Sequence, residues 1–220
     1  MLADRILFLD GEAIVVDKPA GLPVDPPRDG GLSLDNHMES LTFGFRRWPV
    51  AVHRLDRDTS GCLLLARNPK AAKRFGQAFE AGEVEKRYLA VLDGAPTADA
   101  GVIDLPLAKV SSRGDGWRMV GNPRGKPAVT RWEVIAREGG RALVAFRPAT
   151  GRTHQLRVHA ASGLGAAIVG DPVYGRGGEP MLLHAWSIRL PRGDKPPVAA
   201  TAPVPASFGG WAEWVASDAD

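Results

Sequence analysis

A chain of 220 residues, 44% hydrophobic and 24% charged, is long enough to bury a core without disulfide staples, and its composition excludes wholesale disorder. The formal charge of +3 tolerates a nucleic-acid partner without establishing one. One cysteine, Cys62, excludes an internal disulfide framework, and no apolar stretch reaches the length of a membrane span.

The N-terminus, Met1-Leu2-Ala3-Asp4-Arg5, lacks the charged-then-apolar plan of a signal peptide, so a cytoplasmic location is expected. Ile6-Leu7-Phe8-Leu9 and Ala13-Ile14-Val15-Val16 read as two short strands around an Asp10-Gly11 turn, ended by Lys18-Pro19. Residues 20–31 read as a loop and residues 33–45 as a short helix. Gly61 to Ala66 is apolar without alternation, which predicts a strand buried on both faces. Asn68-Pro69 predicts an N-cap and first helical residue, with Ala72, Phe75 and Phe79 on one face and Gly82 closing the helix.

A strand from Arg87 to Leu92 ends at Asp93-Gly94. Residues 93–127 form a turn-rich excursion with short hairpins that carries Arg113, Arg118, Arg124 and Lys126. The alternation from Ala128 to Ile135 puts Thr130, Trp132 and Val134 on one face, and Glu138-Gly139-Gly140 turns it back into Ala142 to Phe146. A helix is expected from near Thr153 through Ala161, a late strand through Leu182, His184, Trp186 and Ile188, and a terminal helix on Phe208, Trp211 and Val215. Strands outnumber helices, so the expected class is α+β with a mixed, mostly antiparallel sheet in a single domain spanning 1–220.

The densest charge lies in His53-Arg54-Leu55-Asp56-Arg57-Asp58-Thr59-Ser60-Gly61, directly ahead of the apolar strand. A carboxylate between arginines is commonly a solvated ion pair. Here Thr59, Ser60 and Gly61 can hold the loop rigid, and a carboxylate kept ionised by an arginine suits a nucleophile or base. Arg157 is the candidate arginine, placed beside Thr153 by a helix starting there; a surface or phosphate-facing arginine is an equal reading. Arg54 can contact a backbone phosphate. Tyr88 is either a core tyrosine or a ring on which a base stacks.

His154 and His159 lie about 140° apart round a helix, so they share no metal-ligand face. Gly121 to Pro127 lacks the spacing of a phosphate loop, and Ser60-Gly61 lacks the flanking glycine of a nucleophile elbow. What remains is an Asp–Arg site without metal or cofactor.

These residues resemble the RluA-type pseudouridine synthases. The resemblance rests on Lys18 to Val24, His53 to Gly61, Lys86 to Val91, Gly151-Arg152-Thr153-His154-Gln155-Leu156-Arg157-Val158-His159, Gly170 to Gly175 and Leu182 to Ala185, in family order. It implies a mostly antiparallel sheet whose cleft binds RNA with the target uridine flipped out. It also implies Asp56 as the catalytic acid paired with Arg157, Tyr88 stacked on the base, and RNA contacts from Arg54, His53, Arg152 and His154. The implied reaction breaks the uridine C1′–N1 bond and rejoins the base through C5, with no cofactor or metal. Ala166-Ala167 departs from the His-Pro common in relatives, and no N-terminal S4 domain is expected. The implied partner is RNA, a tRNA stem-loop or a 23S rRNA hairpin, with no membrane and a monomer as the default. The alternative is a non-catalytic RNA-binding or RNA-folding protein on the same fold.

Overall fold

A computed structural model describes residues 2–27, 30–112 and 116–217. In chain order its strands are β1 (Ile6–Leu9), β2 (Ala13–Lys18), β3 (Val50–Ala51), β4 (Ser60–Ala66), β5 (Glu85–Leu92) and β6 (Ala100–Asp104). There follow β7 (Leu107–Ser112), β8 (Gly116–Gly121), β9 (Val129–Glu138), β10 (Arg141–Pro148), β11 (Leu183–Arg192) and β12 (Lys195–Thr201). The α-helices are α1 (Pro69–Glu80), α2 (Gln155–Val158) and α3 (Trp211–Ser217). Two compact units emerge: residues 1–86 with 184–203, and residues 87–183 with 204–220.

The first unit orders its strands β1-β2-β4-β11, with β3 on β4 and β12 on β11. The expected Asp10-Gly11 turn forms because Asp10 Oδ1 accepts the N–H groups of Glu12 and Ala13 at 2.8 and 2.9 Å. Every residue of β2 and β4 is buried, as the unbroken apolar run of β4 predicts. Asn68 caps α1 by accepting the Ala71 N–H at 2.9 Å, and Pro69 fills the first helical position.

Ala71, Phe75 and Ala78 of α1 then pack with Val15, Cys62, Leu64, Ile188 and Val198. Each fully buried large side chain contributes about 1.5–3 kcal/mol. The Cys62 thiol lies inside this layer, and burial pushes its pKa up to about 12. β4 and β11 run parallel, pairing Ser60 with His184 and Gly61 with Ala185. At Gly61, with φ +104°, a Cβ would stand 2.2 Å from the Ala185 carbonyl oxygen, so only glycine allows the pairing. The helix expected in 33–45 is instead two 3-10 turns, Leu34–His37 and Glu39–Leu41, separated by Met38.

In the second unit the order is β5-β10-β9-β6, antiparallel throughout. Gly139 and Gly140, at φ 57° and 77°, make the tight turn between β9 and β10. The 93–127 excursion is part sheet and part hairpin: β6 pairs with β9, whereas β7 and β8 form their own two-stranded sheet. The helix expected from Thr153 begins at Gln155 and continues into a π-turn over His159–Gly163. Leu156 and Ala160 bury this segment against Ala90, Val144 and Phe146. The class is α+β, mostly antiparallel, as the element count predicts. Among the described residues no helix is long and apolar enough to cross a membrane.

Candidate active site

The loop from His53 to Gly61 is fixed from behind by Lys18. That residue ends β2, where it pairs with Gly61, and its side chain is 0% exposed. Its ammonium donates to the carbonyls of Pro19 (2.9 Å), Leu22 (2.9 Å) and Arg57 (3.0 Å). The Arg57 carbonyl also accepts the Gly21 N–H at 2.9 Å, and the Asp56 carbonyl accepts the Thr59 N–H at 3.1 Å. Main-chain bonds therefore bracket Asp56 on its C-terminal side. Burial pushes the Lys18 pKa down to about 8, against the pull of the Asp58, Asp56 and Asp17 carboxylates.

Within the loop the charged side chains divide their work. Arg57 lies along Asp58 at 3.0 and 3.2 Å, and the exposed Arg54 reaches Asp25 at 2.7 Å. Ser60 Oγ and His184 Nδ1 are 2.9 Å apart in the interior. His53, anticipated as an RNA contact, is engaged inward: its Nε2 accepts the Leu64 N–H at 2.9 Å, and its ring stacks on Phe79 at 4.7 Å. Burial, and then the Lys86 charge, lower its pKa and keep it neutral.

In the second unit Arg157 Nε and Nη2 donate to the two Asp171 carboxylate oxygens, each at 2.8 Å. Both side chains are buried, at 7% and 0% exposure. Burial alone would raise the Asp171 pKa; Arg157 and the Tyr174 and Val173 N–H groups outweigh it and hold the carboxyl below its usual value. Asp171 Oδ1 accepts those N–H groups at 3.0 and 2.8 Å, so one carboxylate orients both Arg157 and the chain that follows. The Arg157 guanidinium carbon lies 5.2 Å from the Tyr174 ring centroid.

His154 precedes α2 at φ 52°, in the left-handed region, so the helical geometry expected of it and of Thr153 does not hold. Its Nδ1 is 2.9 Å from the Tyr174 hydroxyl, which accepts the Met119 N–H at 3.0 Å. Gln155 ties the segment to β9 through Thr130 Oγ1 and the Val129 carbonyl at 3.0 and 3.1 Å. His159 is buried, with its ring nitrogens 2.9 Å from Thr130 Oγ1 and 3.0 Å from the Leu105 carbonyl. Arg152 is exposed and donates from Nε to the Pro127 carbonyl at 3.0 Å. Tyr88 lies opposite Phe146 and packs, half-buried, on the cluster that holds Leu156.

Asp56 belongs to the first unit, and Arg157 and Tyr88 belong to the second. The anticipated pairing of Asp56 with Arg157 thus joins residues of different units and stands as an expectation. Two buried charges escaped the sequence reading. Asp171 and Lys18 were visible within their motifs, but nothing local marks either as a buried charge. Among the described residues no group of three His, Cys, Asp or Glu side chains is arranged to hold a metal ion.

Comparison with known proteins places these features. The family profile of RNA pseudouridylate synthase matches residues 12–162. An uncharacterized RNA pseudouridine synthase of Zymomonas mobilis is 59% identical over 212 residues, covering 94% of this chain and 97% of that protein. The ribosomal large subunit pseudouridine synthase D of the same organism is 37% identical over 183 residues, covering 78% of this chain and 56% of that protein. The solved structure of human RNA pseudouridylate synthase domain containing 4 matches with a TM-score of 0.79 at 28% identity, covering 94% of this chain and 91% of that one. The motif set, the fold and these matches agree, and the chain belongs to the RNA pseudouridylate synthase family, a family of RNA uridine isomerases.

Proposed function

We propose that this chain isomerises specific uridines in ribosomal or transfer RNA, with Asp56 as its catalytic carboxylate. Asp56 acts as nucleophile or general base while the C1′–N1 bond breaks. The base then turns, C1′ bonds to C5, and the proton lost from C5 is balanced by one gained at N1. Nothing is released or consumed. Arg157, oriented by Asp171, is the guanidinium partner of the reacting carboxylate, Tyr88 supplies the ring face for the base, and Arg54, Arg152 and His154 contact the RNA. The enzyme works as a monomer in the cytoplasm.

The observation that carries the role of Asp56 is the Lys18 anchor. A buried ammonium bonded to the carbonyls of Pro19, Leu22 and Arg57 holds the main chain next to Asp56, and preorganisation of that kind is what catalysis by one carboxylate requires. Large-subunit ribosomal RNA is the first substrate to test, because a relative named for that RNA is 37% identical over 183 residues. Pseudouridine maps of cellular RNA with and without the protein, read by carbodiimide-dependent primer stops, should lose defined sites when the protein is absent. Asp56→Ala should fail to restore them and keep its RNA binding. Restoration by that variant overturns the role of Asp56, and unchanged maps leave the non-catalytic RNA-binding reading standing.

A further inference from the structure

The hairpin of β7 and β8 carries an aromatic feature that the isomerisation site does not use. Trp117 stays 46% exposed although two groups already lie against it. The His154 ring stacks on it at 5.1 Å with an interplanar angle of 29°, and the Lys109 ammonium sits 4.7 Å from its ring centroid. Lys109 pairs with Met119 and Ser111 with Trp117, so Lys109, Trp117 and Met119 share one face of the hairpin. At the base of that face Leu107 packs with Val158 and Ala128, and Met119 joins them, which fixes the hairpin in place.

His154 is fixed as well. The Tyr174 hydroxyl accepts the Met119 N–H at 3.0 Å and lies 2.9 Å from His154 Nδ1, which ties the imidazole to the hairpin behind the indole. A non-glycine residue at φ 52° is held there by its surroundings, and here those surroundings aim its ring at Trp117. The charge fits a polyanion. Residues 107–126 contain five basic residues and one acid, a net +4 in twenty residues, while the whole chain carries only +3.

We propose that Trp117, backed by His154, is a stacking platform for an unpaired RNA base other than the target uridine, with Lys109 moving from the ring to that nucleotide's phosphate. A rigid, exposed indole with a cation beside it matches what single-stranded RNA binders use: one ring face for any base and one charge for the backbone. An exposed cation–π contact is weak enough to exchange for a phosphate. The inference rests on the reading that this enzyme acts on RNA, and it adds a contact that fixes the strand away from the reacting base.

The test is the affinity of the full chain for a short, fluorescein-labelled single-stranded oligouridylate, followed by anisotropy over a range of salt. Trp117→Ala should weaken binding about 5- to 150-fold, the worth of one base stacked on an aromatic ring, and Trp117→Phe should restore most of it. Lys109→Met should lower the slope of log affinity against log salt by about 0.7, one phosphate contact on a single strand. Trp117→Ala binding like the wild type overturns the platform. So does Trp117→Phe binding as weakly as Trp117→Ala, or a wild type that does not take the probe. An unchanged slope in Lys109→Met removes the lysine from the proposal. Asp56→Ala, measured beside them, separates the two readings, since its isomerisation assay reports on the chemistry whatever position 117 does to binding.

Discussion

Lys18 and Arg157 are both buried cations, but the first is held by three main-chain carbonyls and the second by one carboxylate. The difference shows in their proton chemistry. At Lys18 burial outweighs the pull of the Asp58, Asp56 and Asp17 carboxylates, and its pKa falls to about 8. The Asp171 carboxylate cancels the Arg157 charge, and its own pKa falls below the usual range. The two arrangements also fix different things. A compact ammonium gathers separate stretches of main chain and so shapes a loop. The planar guanidinium in a two-point fork fixes the direction of a side chain. Each unit therefore uses the cation suited to what it must position.

The sharpest way to break this comparison is Asp171→Ala. It leaves the Arg157 charge buried without its carboxylate, and urea unfolding should show a loss of about 3–5 kcal/mol. Replacing both partners, as Arg157→Met with Asp171→Leu, should return most of that stability while isomerisation stays absent. A double variant that regains activity would show that the pair serves the fold alone.

Lys18→Met should cost less, about 1–3 kcal/mol, because it strands carbonyl acceptors and also removes the expense of burying a charge. Hydrogen exchange at Gly21 and Thr59 should rise in that variant; unchanged protection there would show that the ammonium does not hold the loop.

The smallest effect is in pH. Deprotonation near pH 8 leaves Lys18 two donors for three carbonyls, so kcat should fall as pH rises through about 8, and Lys18→Arg should move that limb upward. Stability moves the other way. The unfolded lysine keeps its proton up to its ordinary value of 10.5, so unfolding takes up a proton between about 8 and 10.5, and the contribution of Lys18 to stability grows across that window. For Asp171 the contribution is present above the unfolded value of 3.8 and is lost only as pH falls through its lower folded value, so the pair with Arg157 outlasts ordinary carboxylates in acid.

What could be read from the residues alone follows the range of the forces involved. Asn68-Pro69 predicts the start of α1 because a cap is settled within a few residues, and Gly139-Gly140 predicts its hairpin for the same reason. Lys195-Pro196-Pro197 carries no strand pattern, yet β12 forms there at an edge, on β11, where proline is tolerated. Among the candidate residues, Asp56, Arg157 and Tyr88 could be singled out by motif. The burial of Lys18 could not, since lysine is almost always exposed, and its carbonyl partners include one 39 residues away. His154 shows the same limit. Its pattern fits a helix, and its actual conformation depends on Tyr174, 20 residues further along.

The chain has one cysteine, and Cys62 lies in the α1-facing layer with its thiol pushed up to about 12. That makes the native protein nearly silent to alkylating reagents at neutral pH, because the thiolate is the reacting form. A cysteine placed on the surface, for instance at Lys109 or Arg54, would then be the one thiol that reacts. A spectroscopic or cross-linking probe could be attached beside the hairpin or beside the Asp56 loop without first replacing the native residue.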